Sequence, residues 1–136
     1  MSKRSELLLA CMLGNRWDKT HAPTAGATLI LSSPSIATTP QARTHLETFW
    51  YSIRNMMGAG AANTTVTFSI REASAAGTVI ASVDHLVSPS SSANVSASDL
   101  HITGKRGNAI AVTMDTVVGS VKATVNIAGW IEDTNG

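Results

Sequence analysis

The sequence is poor in the residues from which disulfide frameworks, charged surfaces and active sites are made. It holds one cysteine, Cys11, in 136 residues, which excludes an internal disulfide and the class of small secreted domains held together by bridges. Charged residues amount to 14% and the formal net charge is +1, against ~25% charged in ordinary soluble proteins. No field of one sign is available to draw in nucleic acid or an acidic membrane surface, so neither is expected as a partner. Aromatics are only 4% of the chain. No apolar run approaches the ~20 residues that a bilayer-spanning helix requires. The start, Met1-Ser-Lys-Arg followed by Leu7–Cys11, has the outline of a signal with a lipid-attachment cysteine. Glu6 interrupts its positive region and the apolar run is short for a signal core, so it is not read as one. A chain of this length makes one domain and buries roughly two-thirds of its unfolded surface, enough for a core without staples.

Catalytic and metal-binding patterns are missing too. His21, His45, His85 and His101 are scattered, whereas zinc sites announce themselves as close Cys/His pairs. Asp84-His85 is the one adjacent acid–histidine pair. Successive strand residues point to opposite faces and no nucleophile completes a triad, so both read as solvent residues near a strand end. There is no Gly-x-Ser-x-Gly elbow, and Gly58-Ala-Gly60 lacks the lysine and spacing of a phosphate loop. The few carboxylates show no calcium-loop pattern. Lys105-Arg106 with His101 reads as a solvated basic turn, too thin for several phosphate contacts. The chain is therefore expected to have no catalytic residues, no metal, no cofactor and no small-molecule substrate.

What the chain does have is alternation. From about Leu29 to Ile131, short runs of apolar and Ser/Thr residues alternate between Gly, Pro and Asn breaks, most clearly in Val66–Arg71 and Val121–Ile127. Period-2 alternation marks a sheet buried on one face. Strands are expected at Ala27–Ser32, Thr64–Glu72, Thr78–His85, Asn94–Ala97, near Ile102, at Ala109–Asp115 and at Ser120–Glu132. Residues 43–57 fit a strand or a helix; aromatic enrichment and β-rich surroundings favour the strand, with Trp50 in the core. Gly58–Asn63 and Asp115–Gly119 read as hairpin connections. The fold class is all-β: an antiparallel sandwich or jelly roll of about seven or eight strands.

The start differs from the rest. Residues 1–25 read as an arm, a short helix over Leu7–Leu13 and then loop from Trp17 to Ala27, before a sandwich domain at 26–136. Ser5 can cap the helix, and Gly14-Asn15 ends it. Its apolar patch covers nearly every face, so it must lie against its own sandwich or a neighbour. Trp17, beside Arg16, Asp18 and Lys19, reads as an aromatic free to dock on another surface. Trp130 lies on the face opposite Ile127 and reads as a core plug or an exposed anchor.

The run Thr64–Glu72 followed by Gly77–Asp84 resembles the middle hairpin of small virion proteins of tailed bacteriophages. Gly107–Met114 followed by Val121–Trp130 is similar to their closing strands, which end in glycine plus an aromatic. The resemblance is one of pattern over residues 44–132. It implies a capsid decoration (cement) protein, a β-sandwich and often a trimer, with itself and a major capsid protein as partners. Such a protein is made in the host bacterial cytoplasm and ends on the capsid surface. On that reading Leu7, Leu8, Leu9, Met12, Leu13 and Trp17 grip the shell or a neighbour, and Thr65, Thr67, Ser69 and Arg71 form a subunit-contact face. The alternatives are a neck, tail or fibre component, or a carbohydrate- or receptor-binding sandwich using Trp17 and Trp130 as exposed stacking aromatics.

Overall fold

A computed structural model describes residues 16–25, 29–58, 60–115 and 121–132. The nine strands among them are β1 (Arg16–Ala25), β2 (Ile30–Ser32), β3 (Arg43–Asn55), β4 (Thr64–Glu72), β5 (Val79–Val87), β6 (Ser92–Ala97), β7 (Ile102–Thr103), β8 (Ile110–Met114) and β9 (Val121–Glu132). They form two sheets, one five-stranded in the order β1-β9-β3-β6 with β7 also on β3, the other four-stranded in the order β2-β8-β4-β5. Every pairing is antiparallel. The expected all-β sandwich is what forms.

The alternation seen in the sequence puts one set of side chains from each sheet into a shared core. Val121, Ala123, Val125 and Ile127 of β9 are buried, as are Val66, Phe68 and Ile70 of β4 and Ile110, Val112 and Met114 of β8. At the centre Phe49 and Tyr51 of β3 meet Phe68 of the opposite sheet, with centroids 5.7 and 4.7 Å apart. Edge and tilted contacts of this kind add to the burial of apolar area.

Residues 43–57 resolve in favour of the strand, and a bulge decides their faces. Leu46 pairs with Gly129 and Thr48 with Ala128, so Glu47 is the extra residue. A one-residue bulge reverses the inside and outside of everything beyond it. Leu46 and Phe49 therefore both point inward, although uninterrupted alternation would separate them. Trp50 emerges on the outer face, 36% exposed, which corrects its expected core position.

Three further expectations are corrected. Trp17–Ala27 is not a loop, because residues 16–25 form β1 along β9. Gly58–Asn63 is not a hairpin connection: it carries the chain from β3 in one sheet to β4 in the other. Likewise β8 and β9 do not pair with each other but belong to different sheets. Length and turn chemistry show that a connection exists, while burial of two separate sheets decides where it leads. The arm residues Leu7, Leu8, Leu9, Met12 and Leu13 lie outside the described residues.

Candidate functional site

Trp17 is where sequence reasoning goes furthest wrong. It is 8% exposed and part of the core. It sits opposite Gly129 on β9, and a Cβ at Gly129 would come within 3.0 Å of its ring. The indole thus lies over the space that glycine leaves, a cross-strand pairing of large with small. The two charged residues that flank it, Arg16 and Asp18, alternate outward: Arg16 Nη2 donates to Glu47 Oε2 at 2.9 Å, and Asp18 accepts from the Asn126 amide.

Trp130, on the opposite face of β9, is one wall of a cleft on the outside of the five-stranded sheet. The cleft is about 450 Å³, lined by His45, Glu47, Asp99, His101, Thr103 and Trp130 among others. The Trp130 ring stacks on His45 at 4.1 Å with planes 5° apart. His45 Nε2 donates to Glu132 Oε2 at 3.0 Å, so Nδ1 accepts from the Thr103 hydroxyl at 3.0 Å. Both ring nitrogens are thereby engaged. Glu47 and Glu132 are each held by a basic partner. The geometry holds an aromatic ring rigidly among polar groups, with the Thr103 hydroxyl, the His45 imidazole and the Glu132 carboxylate joined in one hydrogen-bonded row.

The outer face of the four-stranded sheet carries Thr65, Thr67, Ser69 and Arg71 together, on β4. It is more tightly bonded than a plain hydroxyl surface. The Ser69 hydroxyl donates to Asp115 and is buried; Thr67 donates to Asp84 at 2.8 Å. Arg71 donates from Nε to Thr113 Oγ1 at 3.1 Å and from Nη1 to the Gly77 carbonyl at 3.1 Å. Its Nη2 lies 3.4 Å from Asp115, which also accepts from Thr113 at 2.9 Å. Burial raises the Asp115 carboxyl, but bonds from Ser69, Thr113 and Arg71 and the Arg71 charge outweigh it, leaving the group below its ordinary 3.8. A depressed carboxylate stabilises the fold above its unfolded pKa and loses that contribution as pH falls through the folded value. Asp115→Asn is therefore expected to be less stable than the parent at pH 7, with the gap closing below about pH 4. Denaturant midpoints for both proteins across pH 2.5–7 check this; a gap that stays constant would remove the carboxylate from the account.

The third surface is apolar. Where β5 edges one sheet and β6 and β7 edge the other, the sandwich is open. Sheets stack about 10 Å apart. The inward residues of these strands are short: Ala81 and Val83 on β5, Ala93, Val95 and Ala97 on β6. They cannot meet across that gap, and a groove of about 250 Å³ results, floored by Phe49, Tyr51 and Ile70. Val83 is 37% exposed although it faces inward. At one end Tyr51 Oη and His85 Nδ1 bond at 3.2 Å, so His85 is tied to the core rather than standing in solvent. On the outer side of the same strand Leu86 is 61% exposed and Ile80 is also exposed. Ordinary alternation conceals this groove, because the period says which way a residue points and not whether anything lies opposite.

No family model matches the chain, and no curated protein matches it. Among solved structures, the disulfide-linked pili of Bacillus endospore appendages align over 85% of this chain and 88% of theirs, with 10% identity and a TM-score of 0.38. The Tobacco streak virus coat protein dimer aligns over 85% and 86%, with 11% identity and a TM-score of 0.39. The CBM22-1 xylan-binding domain of Paenibacillus barcinonensis Xyn10C aligns over 89% and 86%, with 8% identity and a TM-score of 0.29. Likenesses this remote carry neither fold nor function. What this chain's own strands and surfaces define is a two-sheet antiparallel β-sandwich with an open, apolar side.

Proposed function

We propose that this chain is a non-enzymatic structural protein that works by packing against other protein. We further propose that it decorates the outer shell of a tailed-bacteriophage capsid, with copies of itself and a major capsid protein as partners. The observation that carries the reading is the apolar exposure of both edge strands of the four-stranded sheet, Ile30 on β2 and Val79, Ile80, Val83 and Leu86 on β5. Exposed apolar edges are templates for association. A chain with only 14% charged residues is also cheap to desolvate at its surface, in keeping with the depletion of charge at interface cores. The bonded outer face of Thr65, Thr67, Ser69 and Arg71 is rigid enough to serve as a second contact. A multimer lets each shell contact stay weak while the whole binds firmly, and a trimer suits this.

The test is binding to purified empty shells together with sizing in solution. A discrete oligomer that binds shells saturably supports the reading; a monomer that ignores shells sinks it. Deleting residues 1–15, which stops short of β1, is expected to abolish shell binding while the strand signal in circular dichroism remains. A second reading, as a carbohydrate-binding module, is favoured by the Trp130 cleft, where an aromatic ring stands among carboxylates and hydroxyls. Sugar-array hits that vanish in Trp130→Ala would establish it instead. Trp17 has no part in that test, being core.

A further inference from the structure

We propose that the apolar segment Leu7–Leu13 of one copy adds as a strand to the β5 edge of a second copy and fills the groove between the two sheets. The proposal rests on the assembly reading and specifies how copies join.

Three observations converge on this occupant. First, β5 pairs with β4 alone among the described strands, so its other edge offers backbone donors and acceptors for an incoming strand, the mode of β-augmentation. Second, that edge is apolar on both sides. Ala81 and Val83 face the groove and Ile80 and Leu86 face out. An ordinary amphipathic strand would match one side and leave the other bare. Leu7-Leu8-Leu9-Ala10-Cys11-Met12-Leu13 is apolar at every position. In an extended strand Leu7, Leu9, Cys11 and Leu13 share one face while Leu8, Ala10 and Met12 take the other. One set can enter the groove as the other covers Ile80 and Leu86. Third, the volume suits: an apolar cavity of about 150 Å³ already holds a benzene-sized group, and this groove is about 250 Å³.

Reach decides between a chain's own segment and a neighbour's. Arg16 opens β1 at the edge of the five-stranded sheet opposite β6. The groove is thus three strand spacings away, about 14 Å. Gly14 and Asn15 leave three Cα steps from Leu13 to Arg16, which span about 11 Å at full extension. Leu13 cannot enter the groove of its own sandwich, so seating the whole segment, Leu13 included, requires the groove of another copy. Exchange of one element around a closed set of protomers gives a discrete oligomer.

The single natural cysteine supplies the test, since Cys11 is expected on the groove-facing set. Val83→Cys and, in a separate protein, Ala81→Cys place a second thiol in the groove. Diamide oxidation of the full chain is expected to give chain multimers on a non-reducing gel in at least one of these proteins. The multimers should disappear on reduction and in the matching proteins that also carry Cys11→Ala. A single-chain species of increased mobility would mean the segment folds back on its own sandwich and would overturn the proposal. Absence of any link in both folded variants would overturn it as well. Leu9→Asp should weaken self-association by about tenfold or more on sizing. Shell binding is scored separately on the same samples. Shells bound without a groove link remove only this docking, and a groove link without shell binding removes only the decoration reading.

Discussion

Gly129→Ala is expected to cost about 3 kcal/mol of stability or more, at the severe end of what overpacking does. A Cβ at this position would lie 1.8 Å from the His45 carbonyl oxygen and 3.0 Å from the Trp17 ring. The first contact cannot be relieved by a side-chain rotation because the obstacle is backbone. It exists because the bulge at Glu47 drives β3 toward β9 at the point where Leu46 pairs with Gly129. Glycine is the residue that admits such close approach. Relief would require separating β3 from β9, the central pair of the five-stranded sheet, or expelling Trp17 from the core. Gly58→Ala is the control: nothing lies within 4 Å of a Cβ there, so a change within about 0.5 kcal/mol is expected. Urea midpoints at constant slope measure both. Equal, small effects would show that the bulge does not press on Gly129.

Phe68→Ala should cost about 3–5 kcal/mol, the range for deleting a buried aromatic and leaving a cavity. Phe68 is fully buried and touches Phe49 and Tyr51 of the other sheet, so its loss removes the central aromatic contact between the two layers. The groove beside it makes collapse around the void harder, since Ala81, Val83 and Val95 are already too short to fill that side. Trp50→Ala is the instructive comparison. Tryptophan is the larger side chain, but this one is on the outer face and 36% exposed. Its loss is expected to cost less, about 1–2 kcal/mol, because over a third of its area stays in water and solvent rather than a closed cavity takes the place of the ring. Denaturant unfolding of the two variants should therefore order them opposite to side-chain size. If Trp50→Ala proved the more damaging, the inside and outside of β3 would have to be exchanged.

The strands were legible because their signal is local. Thr64–Glu72 alternates cleanly and forms β4 over those same residues, and Val121–Ile127 buries every second residue as read. Faces were lost wherever a non-local event intervened. Nothing in Leu46-Glu47-Thr48 announces a bulge, so Trp50 looked internal. Pairing of Arg16–Ala25 with β9 is equally invisible in a run containing Pro23 and four charged or titratable side chains, Arg16, Asp18, Lys19 and His21. The Gly129-Trp130 pair was noticed, yet its meaning, a glycine under Trp17 and a tryptophan stacked on His45, depends on partners 112 positions earlier for Trp17 and 85 for His45 (129 − 17 and 130 − 45).

By itself, then, the sequence determined the class of structure: period-2 alternation over most of the chain marks an all-β protein whose sheets bury one face. It also showed an apolar segment at Leu7–Leu13 that such sheets do not explain. Only the tertiary structure decided which strands share a sheet, which aromatics are inside, and that one side of the sandwich stays open. The reason is physical. Periodicity reports the direction of a side chain relative to its own strand, whereas burial depends on what another sheet places about 10 Å away.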